Sequence, residues 1–214
     1  MDAEKIICLK NIFFGFKANN IFIRNFDLEL LKNEKLGLIG HTGSGKTTIL
    51  HIIMGLLKPI QGEVIIFEKK RKTEDDFLEV RQKIGLLFQN SDEQLFCPSV
   101  IEDIAFGPLN LHYNNREYVK RKVNEIIKKF DLEELKNRYV TDLSYGEKKI
   151  VALAGIFAME PEVLLLDEPT NGLDKEHTKK IIELIKKEVK TCIIVSHNQE
   201  FINELCNRKI VLNN

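Results

Sequence analysis

The sequence has no excess of charge of either sign and no long hydrophobic run. Among its 214 residues, 32 lysines and arginines balance 32 aspartates and glutamates, so the formal net charge is zero. This balance gives no reason to expect nucleic acid or an anionic membrane surface as a partner. The longest apolar stretches, such as Val163–Leu166 and Cys192–Val195, have the length of strands, well below the roughly 20 residues of a membrane-spanning helix.

Signals for export and for covalent or metal cross-links are also missing. The first residues, Met1–Lys5, do not show the basic and then apolar order of a signal peptide. The four cysteines form no Cys-x-x-Cys pair, and no histidine stands beside them at metal-binding spacing, which predicts isolated reduced thiols. These features predict a cytosolic protein, unless another subunit holds it at a membrane.

What is present is the composition of an ordinary globular domain, with 43% hydrophobic and 30% charged residues. No internal repeat, low-complexity tract or linker rich in Pro, Gly and Ser divides the chain. Runs of β-branched and apolar residues predict strands. They are Ile6–Leu9, Ile12–Phe16, Phe26–Leu30, Leu36–Ile39, Glu63–Phe67, Ile84–Phe88, Val163–Leu166, Cys192–Val195 and Lys209–Leu212.

Helical spacing marks three other regions, one of which is a helix after strand Val163–Leu166 that bears Ile181, Ile182, Ile185 and Val189. The helix after strand Leu36–Ile39 is predicted to carry its inner apolar residues at Ile49, Leu50, Ile52, Ile53, Leu56 and Leu57. From about Val100 to Ala158 the pattern is mostly helical. An α/β core therefore brackets a helical insert. We predict one domain over residues 1–214, with a core formed by 1–90 and 160–214 and a helical subdomain at about 91–159.

The segment Gly40–Thr47 fits the pattern G-x-x-x-x-G-K-[ST] between a buried strand and a helix. Its glycines let backbone N–H groups turn toward phosphate oxygens, and the helix presents its N-terminal dipole to the same anion. Lys46 supplies positive charge for the β- and γ-phosphates, the Thr47 hydroxyl suits Mg²⁺, and Thr48 can donate to the α-phosphate. The predicted nucleotide-binding residues are Gly40, His41, Thr42, Gly43, Ser44, Gly45, Lys46, Thr47 and Thr48. Alone, this motif is equally typical of kinases, GTPases and motor ATPases.

Two acids follow the all-apolar strand Val163–Leu166. A carboxylate at the end of a strand beside a phosphate loop can orient Mg²⁺ and its water shell, and we assign this role to Asp167. Glu168 is then placed to polarise the attacking water. The alternative, two acids that only face solvent, is the weaker one because charged pairs rarely follow four apolar strand residues without a ligand.

Two other strands end in polar residues at the edge where such sheets bind ligands. His197 follows Cys192–Val195 and Ser196, where contact with the γ-phosphate is plausible. Gln89 ends the strand Ile84–Phe88, where it could touch Mg²⁺ and the hydrolytic water. By themselves both residues are equally compatible with a structural role or a place on the surface.

The stretch Leu143-Ser144-Tyr145-Gly146-Glu147 makes the sequence resemble the ABC ATPase family, whose signature is Leu-Ser-Gly-Gly-Gln or a near variant. The resemblance implies an α/β fold of the P-loop NTPase class in its ABC form. Such a fold has a mostly parallel RecA-like core sheet, an N-terminal antiparallel β region and a helical subdomain insert. In the family, Ser144, Gly146 and Glu147 would face the γ-phosphate of ATP bound to a second ATPase subunit.

Further elements match the family in order along nearly the whole chain. Gln89 matches the Q-loop, Gly172-Leu173-Asp174 the D-loop and His197 the H-loop, while Phe16 stands where the family has an aromatic that stacks on adenine. A core position in a strand is the alternative for Phe16. Tyr145 and Glu147 depart from the signature, and Tyr145 adds bulk near the docking position of the partner's nucleotide. The resemblance implies ATP and Mg²⁺ as cofactors.

Two segments, Phe88–Phe96 and Glu102–Leu111, resemble the cobalt/nickel and energy-coupling-factor importer ATPases. This implies a peripheral subunit at the cytoplasmic face of the membrane that drives uptake of a transition-metal ion or a vitamin. In the family, the region Gln89–Pro98 faces the transmembrane subunit. The apolar residues Leu95, Phe96 and Pro98 suit a groove for a partner helix, and internal packing is their alternative.

Other functional classes are weaker. Soluble ABC proteins that act on DNA or the ribosome carry long coiled-coil inserts or two ATPase domains, neither of which fits in 214 residues, and no basic block is present. A small-molecule P-loop kinase is disfavoured by the signature and by the Asp-Glu pair. A catalytically inactive ABC subunit has no support, since the expected catalytic residues are all present.

Overall fold

The structure, a computed structural model, describes residues 4–17, 20–112 and 115–212. The strands in these ranges are β1 (Lys5–Phe14), β2 (Ile23–Leu31), β3 (Lys35–Ile39), β4 (Gln61–Ile66), β5 (Lys69–Arg71), β6 (Ile84–Leu87), β7 (Val163–Asp167), β8 (Cys192–Val195) and β9 (Arg208–Val211). The helices are α1 (Lys46–Ile53), α2 (Glu74–Lys83), α3 (Val100–Leu111), α4 (Arg116–Lys129), α5 (Tyr145–Ala158), α6 (Lys175–Glu188) and α7 (Gln199–Leu205). Short 3₁₀ turns cover Ser91–Glu93 and Val140–Asp142.

The strands form two sheets. One is antiparallel, in the order β2-β1-β4-β5, and the other is parallel, in the order β6-β7-β8-β3-β9. The inner strands β7 and β8 are buried along their whole length, which explains their continuous apolar sequence. The predicted fold class, a mostly parallel core sheet with an N-terminal antiparallel region and helices, is confirmed.

Parallel strands bring their carboxyl ends to one edge of the sheet. The residues at or just beyond the carboxyl ends of β3, β6, β7 and β8 therefore meet there, although they lie far apart in sequence. These residues are the loop that begins at Gly40, Gln89, the acids Asp167 and Glu168, and His197.

Two predictions about the N-terminal half were wrong in detail. The strands predicted as Ile6–Leu9 and Ile12–Phe16 are one strand, β1, because an irregularity near Asn11 (φ 50°) shifts the register without ending the pairing. Helix α1 ends at Ile53, since Gly55 with φ 69° turns the chain away from the helix. Leu56, predicted on the inner side, is consequently 49% exposed.

The middle of the chain is helical, as its spacing predicts. Helices α3, α4 and α5 pack on one another around Phe130 and Leu153, which are fully buried. Capping boxes start two of them, Ser99 with Glu102 at α3 and Ser144 with Glu147 at α5. Over the described residues, no helix has the length and hydrophobicity that crossing a bilayer requires.

Candidate functional site

The loop between β3 and α1 has the backbone conformation that phosphate binding requires. Gly43 and Gly45 have φ values of 80° and 99°, in a region that other residues rarely adopt. Gly45 is also the N-cap of α1, so the free N–H groups of the helix start face the loop. The ammonium of Lys46 donates to the carbonyl oxygens of Gly40 (2.9 Å) and His41 (2.8 Å), which holds it inside the loop.

Asp167 and Thr47 meet across the edge of the sheet. The Thr47 hydroxyl donates to Oδ2 of Asp167 at 2.5 Å, and burial raises the pKa of this carboxyl in spite of that hydrogen bond. Within the described part of the chain, Oδ1 of Asp167 is buried and accepts no hydrogen bond. A buried carboxylate oxygen without a partner beside a hydroxyl is a donor set that fits Mg²⁺, a cation that prefers oxygen ligands.

The same donor set is small. The described ranges hold no cluster of three or more His, Cys, Asp and Glu side chains that could bind a metal ion. Mg²⁺ usually keeps several waters and binds through one or two protein ligands together with substrate phosphates. The residues present therefore fit a cation that arrives with a nucleotide.

Glu168 is held by the segment after β8. Its carboxylate accepts the N–H of His197 (3.0 Å) and the hydroxyl of Ser196 (3.2 Å), and Nδ1 of His197 lies 2.9 Å from Oε2. Glu168 has a φ of 46°, a left-handed conformation that is uncommon for this residue type and is often found at functional positions. Glu168 and His197 thus form one hydrogen-bonded pair.

The carboxyl edge of the sheet opens onto a cleft of about 540 Å³. Its lining consists of Phe16, Phe22, Thr42, Gly43, Gly45, Lys46, Thr47, Thr48, Gln89, Asp167, Glu168, Asn171, Val195 and His197. Gly40, His41 and Ser44 belong to the same loop without lining the cleft. The catalytic and metal-binding residues expected from the sequence are therefore brought together at one place.

The aromatic expected beside the nucleotide lies at the rim of this cleft. Phe16 is 73% exposed, so it is not a core residue of a strand. Its ring stacks on Phe22 (centroids 5.6 Å apart) and meets the edge of Phe14 (5.3 Å). An exposed aromatic face supported from behind by two rings is suited to stacking on a flat base.

The signature residues stand apart from this cleft. Ser144 caps α5 by accepting the N–H of Glu147, whose carboxylate in turn accepts the N–H of Ser144 at 2.7 Å. Ser144, Gly146 and Glu147 are absent from the lining of the cleft. A Cβ at Gly146 would lie 2.8 Å from the ring of His177, which Asp174 fixes through Nδ1 at 2.8 Å. The start of α6 thus explains why this position has no side chain.

Three residues near the site were missed by sequence reasoning. Phe22 and Asn171 line the cleft, and Lys149 is fully buried beside it. The place of Phe22 in the cleft could not be predicted from the sequence, because an aromatic residue near a predicted strand usually indicates a core position. Lys149 follows Glu147 and Lys148 directly in the sequence, so its charge alone did not distinguish it from an ordinary solvated helix start.

A phosphate loop between a parallel strand and a helix, with an acidic pair at the end of another strand of the same sheet, defines a P-loop nucleotide-hydrolysing protein. Comparison with known proteins narrows this class. A family model described as ABC transporter matches residues 23–171. The energy-coupling factor transporter ATP-binding protein EcfA of Methanothermobacter thermautotrophicus is 41% identical over 212 residues, which cover 97% of this chain and 68% of that protein.

Solved structures agree with this match. The cbiO1 protein of Clostridium perfringens, described as part of the ABC transporter complex cbiONQ, has a TM-score of 0.86 at 30% identity, covering 97% of this chain and 84% of that one. A dimeric ATP-binding cassette in a post-hydrolysis state, bound to ADP and phosphate, has a TM-score of 0.86 at 31% identity, covering 97% and 94%. The chain belongs to the ABC transporter family and is one of its ATP-hydrolysing subunits.

Proposed function

We propose that this chain is the ATPase subunit of an ABC importer and that its nucleotide sites form between two subunits. Closure of the two subunits around ATP, followed by hydrolysis and reopening, would move membrane partners. Residues 1–90 and 160–214 form the nucleotide-binding core in this proposal, and residues 91–159 form a helical subdomain that moves with the partner's nucleotide. The subunit would act peripherally at the cytoplasmic face of the membrane.

The observation that carries this proposal is the separation of the two halves of the site. The cleft contains the phosphate loop and the residues at the strand ends, but none of the signature residues Ser144, Gly146 and Glu147. Ser144 and Gly146 lie at the start of α5, where free N–H groups favour an anion. A second subunit that supplies this helix start would complete the site, and the dimeric ATP-binding cassette noted above supports such pairing.

We assign the roles in the cleft as follows. Lys46 binds the β- and γ-phosphates, and Phe16 stacks on adenine. Glu168 polarises the attacking water, and His197, to which it is hydrogen-bonded, contacts the γ-phosphate. Thr47, Asp167 and Gln89 would hold Mg²⁺, which would supply charge stabilisation on the phosphates.

A mixing experiment tests the composite site. Lys46→Met damages the phosphate loop, and Ser144→Asp keeps an N-cap on α5 but places a carboxylate where the partner's phosphate would bind. Each variant alone should be inactive. Mixed in equal amounts, they should recover about a quarter of wild-type activity, because half of the dimers are mixed and each mixed dimer holds one intact site. The rate of phosphate release measures the recovery.

A matched pair controls for non-specific rescue. Lys46→Met and Glu168→Gln both lie in the same half of the composite site, so their mixed dimers contain no intact site and should stay inactive. Recovery in this second mixture, or no recovery in the first, would contradict a homodimeric composite site. If the first mixture fails although both variants are folded, a paralogous partner subunit becomes the explanation.

We propose that the membrane partner docks on an apolar surface formed by Phe96, Pro98, Phe106 and Leu109. Phe96 is 65% exposed, and its ring meets that of Phe106 edge-on at 4.6 Å. The buried carboxylate of Asp103 accepts the N–H of Phe96 (3.0 Å), which fixes the loop that presents the ring. Leu95, expected in this groove, instead packs into the core, so the internal alternative is correct for this residue.

Phe96→Asp should disrupt this docking. A charge in the apolar surface should lower the amount of membrane subunit that co-purifies from native membranes by about ten-fold or more, since buried aromatic anchors dominate interfaces. Leu78→Asp is the matched control, because Leu78 is comparably exposed on α2. Equal recovery of membrane subunits with both variants would contradict the proposed docking surface.

The solute is a transition-metal ion such as cobalt or nickel in our leading proposal, and a vitamin is the alternative. The likeness to cbiO1 and to EcfA supports the importer branch. An ATPase subunit does not touch the solute. The membrane proteins that co-purify with the wild-type chain, together with uptake assays for labelled nickel, cobalt and vitamins, decide between the two.

A further inference from the structure

Two side chains of helix α5 form hydrogen bonds to the backbone just after β6. Tyr145 and Lys149 are four residues apart and lie on the same face of the helix. The Lys149 ammonium donates to the carbonyl oxygens of Gln89 (2.6 Å) and Phe88 (3.0 Å). The Tyr145 hydroxyl donates to the same Gln89 oxygen at 3.3 Å. The backbone carbonyl of Gln89 is thus held in place, and Gln89 is also one of the residues that line the nucleotide cleft.

Lys149 occupies a position where a charge is normally excluded. Its side chain is fully buried, and burial lowers the pKa of the ammonium to about 8 against the attraction of Asp167 and Glu168. A buried charge is tolerated only where hydrogen-bond partners are fixed around it. The two carbonyl oxygens are such partners. Any movement of β6 relative to α5 would therefore expose the ammonium to solvent or leave it buried without a hydrogen-bond partner.

Tyr145 adds a second contact to the same arrangement. Its ring lies against the loop after Glu168, since a Cβ at Gly172 would come within 3.1 Å of Cε1. Gly172 has a φ of 74°, so this loop passes beneath the ring in a conformation suited to glycine. The side chain that departs from the family signature therefore fills the space between the Q-loop and the D-loop of its own chain.

We propose that Tyr145 and Lys149 are positioning residues that hold Gln89 at the nucleotide cleft and tie its position to that of the signature helix. This inference rests on the role proposed above for Gln89. Helix α5 begins with Ser144 and Gly146, which are proposed to bind the partner's ATP. Movement of the helix on that binding is then passed directly to the Q-loop of the same chain, which links the two nucleotide sites.

Tyr145→Phe and Lys149→Met test the proposal in the full-length chain. Tyr145→Phe removes one hydroxyl and keeps the ring against Gly172, and Lys149→Met removes the donors and keeps the length. We expect kcat for ATP hydrolysis to fall about three-fold and about thirty-fold, respectively, with the KM for ATP changed less than about two-fold. Amide hydrogen exchange over residues 88–94 should quicken by similar factors, since these bonds restrain that segment.

Two comparisons separate positioning from a general loss of stability. Tyr118→Phe removes another phenol hydrogen bond of the helical region, to Glu160 at 2.5 Å, and should leave exchange at 88–94 unchanged. Unchanged exchange and kcat in Tyr145→Phe and Lys149→Met would overturn the proposal, as would a lower melting temperature with kcat preserved. If Lys149→Met does not fold, Lys149→Arg, which can still donate to both carbonyls, must retain more activity than Lys149→Gln.

Gln89→Ala distinguishes this inference from the function on which it rests. It should lower kcat at least as much as Lys149→Met. A fully active Gln89→Ala would overturn the role of Gln89 and with it the functional consequence of the two contacts. An inactive Gln89→Ala together with unchanged exchange at 88–94 in the other variants would overturn the positioning by Tyr145 and Lys149 alone.

Discussion

Glu168→Gln is expected to lower ATP hydrolysis about a thousand-fold, the range in which a lost general base acts. The change keeps the volume of the side chain and can keep a hydrogen bond to the His197 N–H, which Glu168 accepts at 3.0 Å. Nucleotide binding should therefore survive. ATP should then accumulate on the protein and hold two subunits together, which gel filtration with and without Mg-ATP detects as a shift to a dimer.

Glu183→Gln provides the matched control for this result. It makes the same chemical change on the exposed side of α6, where the side chain is 66% exposed. This variant should hydrolyse ATP like the wild type and should form no trapped dimer. Intact hydrolysis in Glu168→Gln would contradict the assignment of Glu168, and a monomer that binds ATP without hydrolysing it would contradict the closed dimer.

Asp167→Asn is expected to lower the rate of Mg²⁺-dependent ATP hydrolysis about a hundred-fold or more, because metal coordination contributes several kcal/mol of charge stabilisation. The apoprotein should at the same time become more heat-stable. Burial raises the pKa of Asp167, which means that the folded state disfavours its ionised form at neutral pH, and an amide removes this penalty. Phosphate release and the thermal midpoint, each with and without Mg²⁺, check both parts.

Asp131→Asn serves as the control for this variant. Asp131 has a φ of 53° and its side chain is 81% exposed, so asparagine fits there and no buried charge is changed. A hydrolysis rate in Asp167→Asn that keeps its normal dependence on Mg²⁺ would contradict the proposed metal site. A lower midpoint in the apoprotein would show that the carboxylate stabilises the fold rather than straining it.

Particular residues show how far the sequence alone could be interpreted. The strands that end at the site were recognised because β7 and β8 are buried on both faces and therefore continuously apolar. Helices α2 and α7 were missed, since α2 buries only Phe77 and Val80 among ten residues and α7 is only seven residues long. Such elements give too little apolar periodicity to predict.

Exposure was harder to predict than element type. Phe96 and Leu95 are adjacent apolar residues in one loop, yet Phe96 is exposed and Leu95 is 7% exposed in the core. The difference arises from the hydrogen bonds that Asp103 makes to the N–H groups of Phe96 and Cys97, which set the direction of the loop. Nothing in the spacing of the residues encodes that contact.

The sequence by itself determined the phosphate loop, the acidic pair at the end of β7 and the signature at the start of α5, because local backbone chemistry requires those residue types at those spacings. Only the tertiary structure decided that the signature lies outside the chain's own cleft, and that Tyr145 and Lys149 hold the backbone of Gln89. Contacts between residues about 60 positions apart depend on how helices pack on the sheet, which a linear pattern does not record.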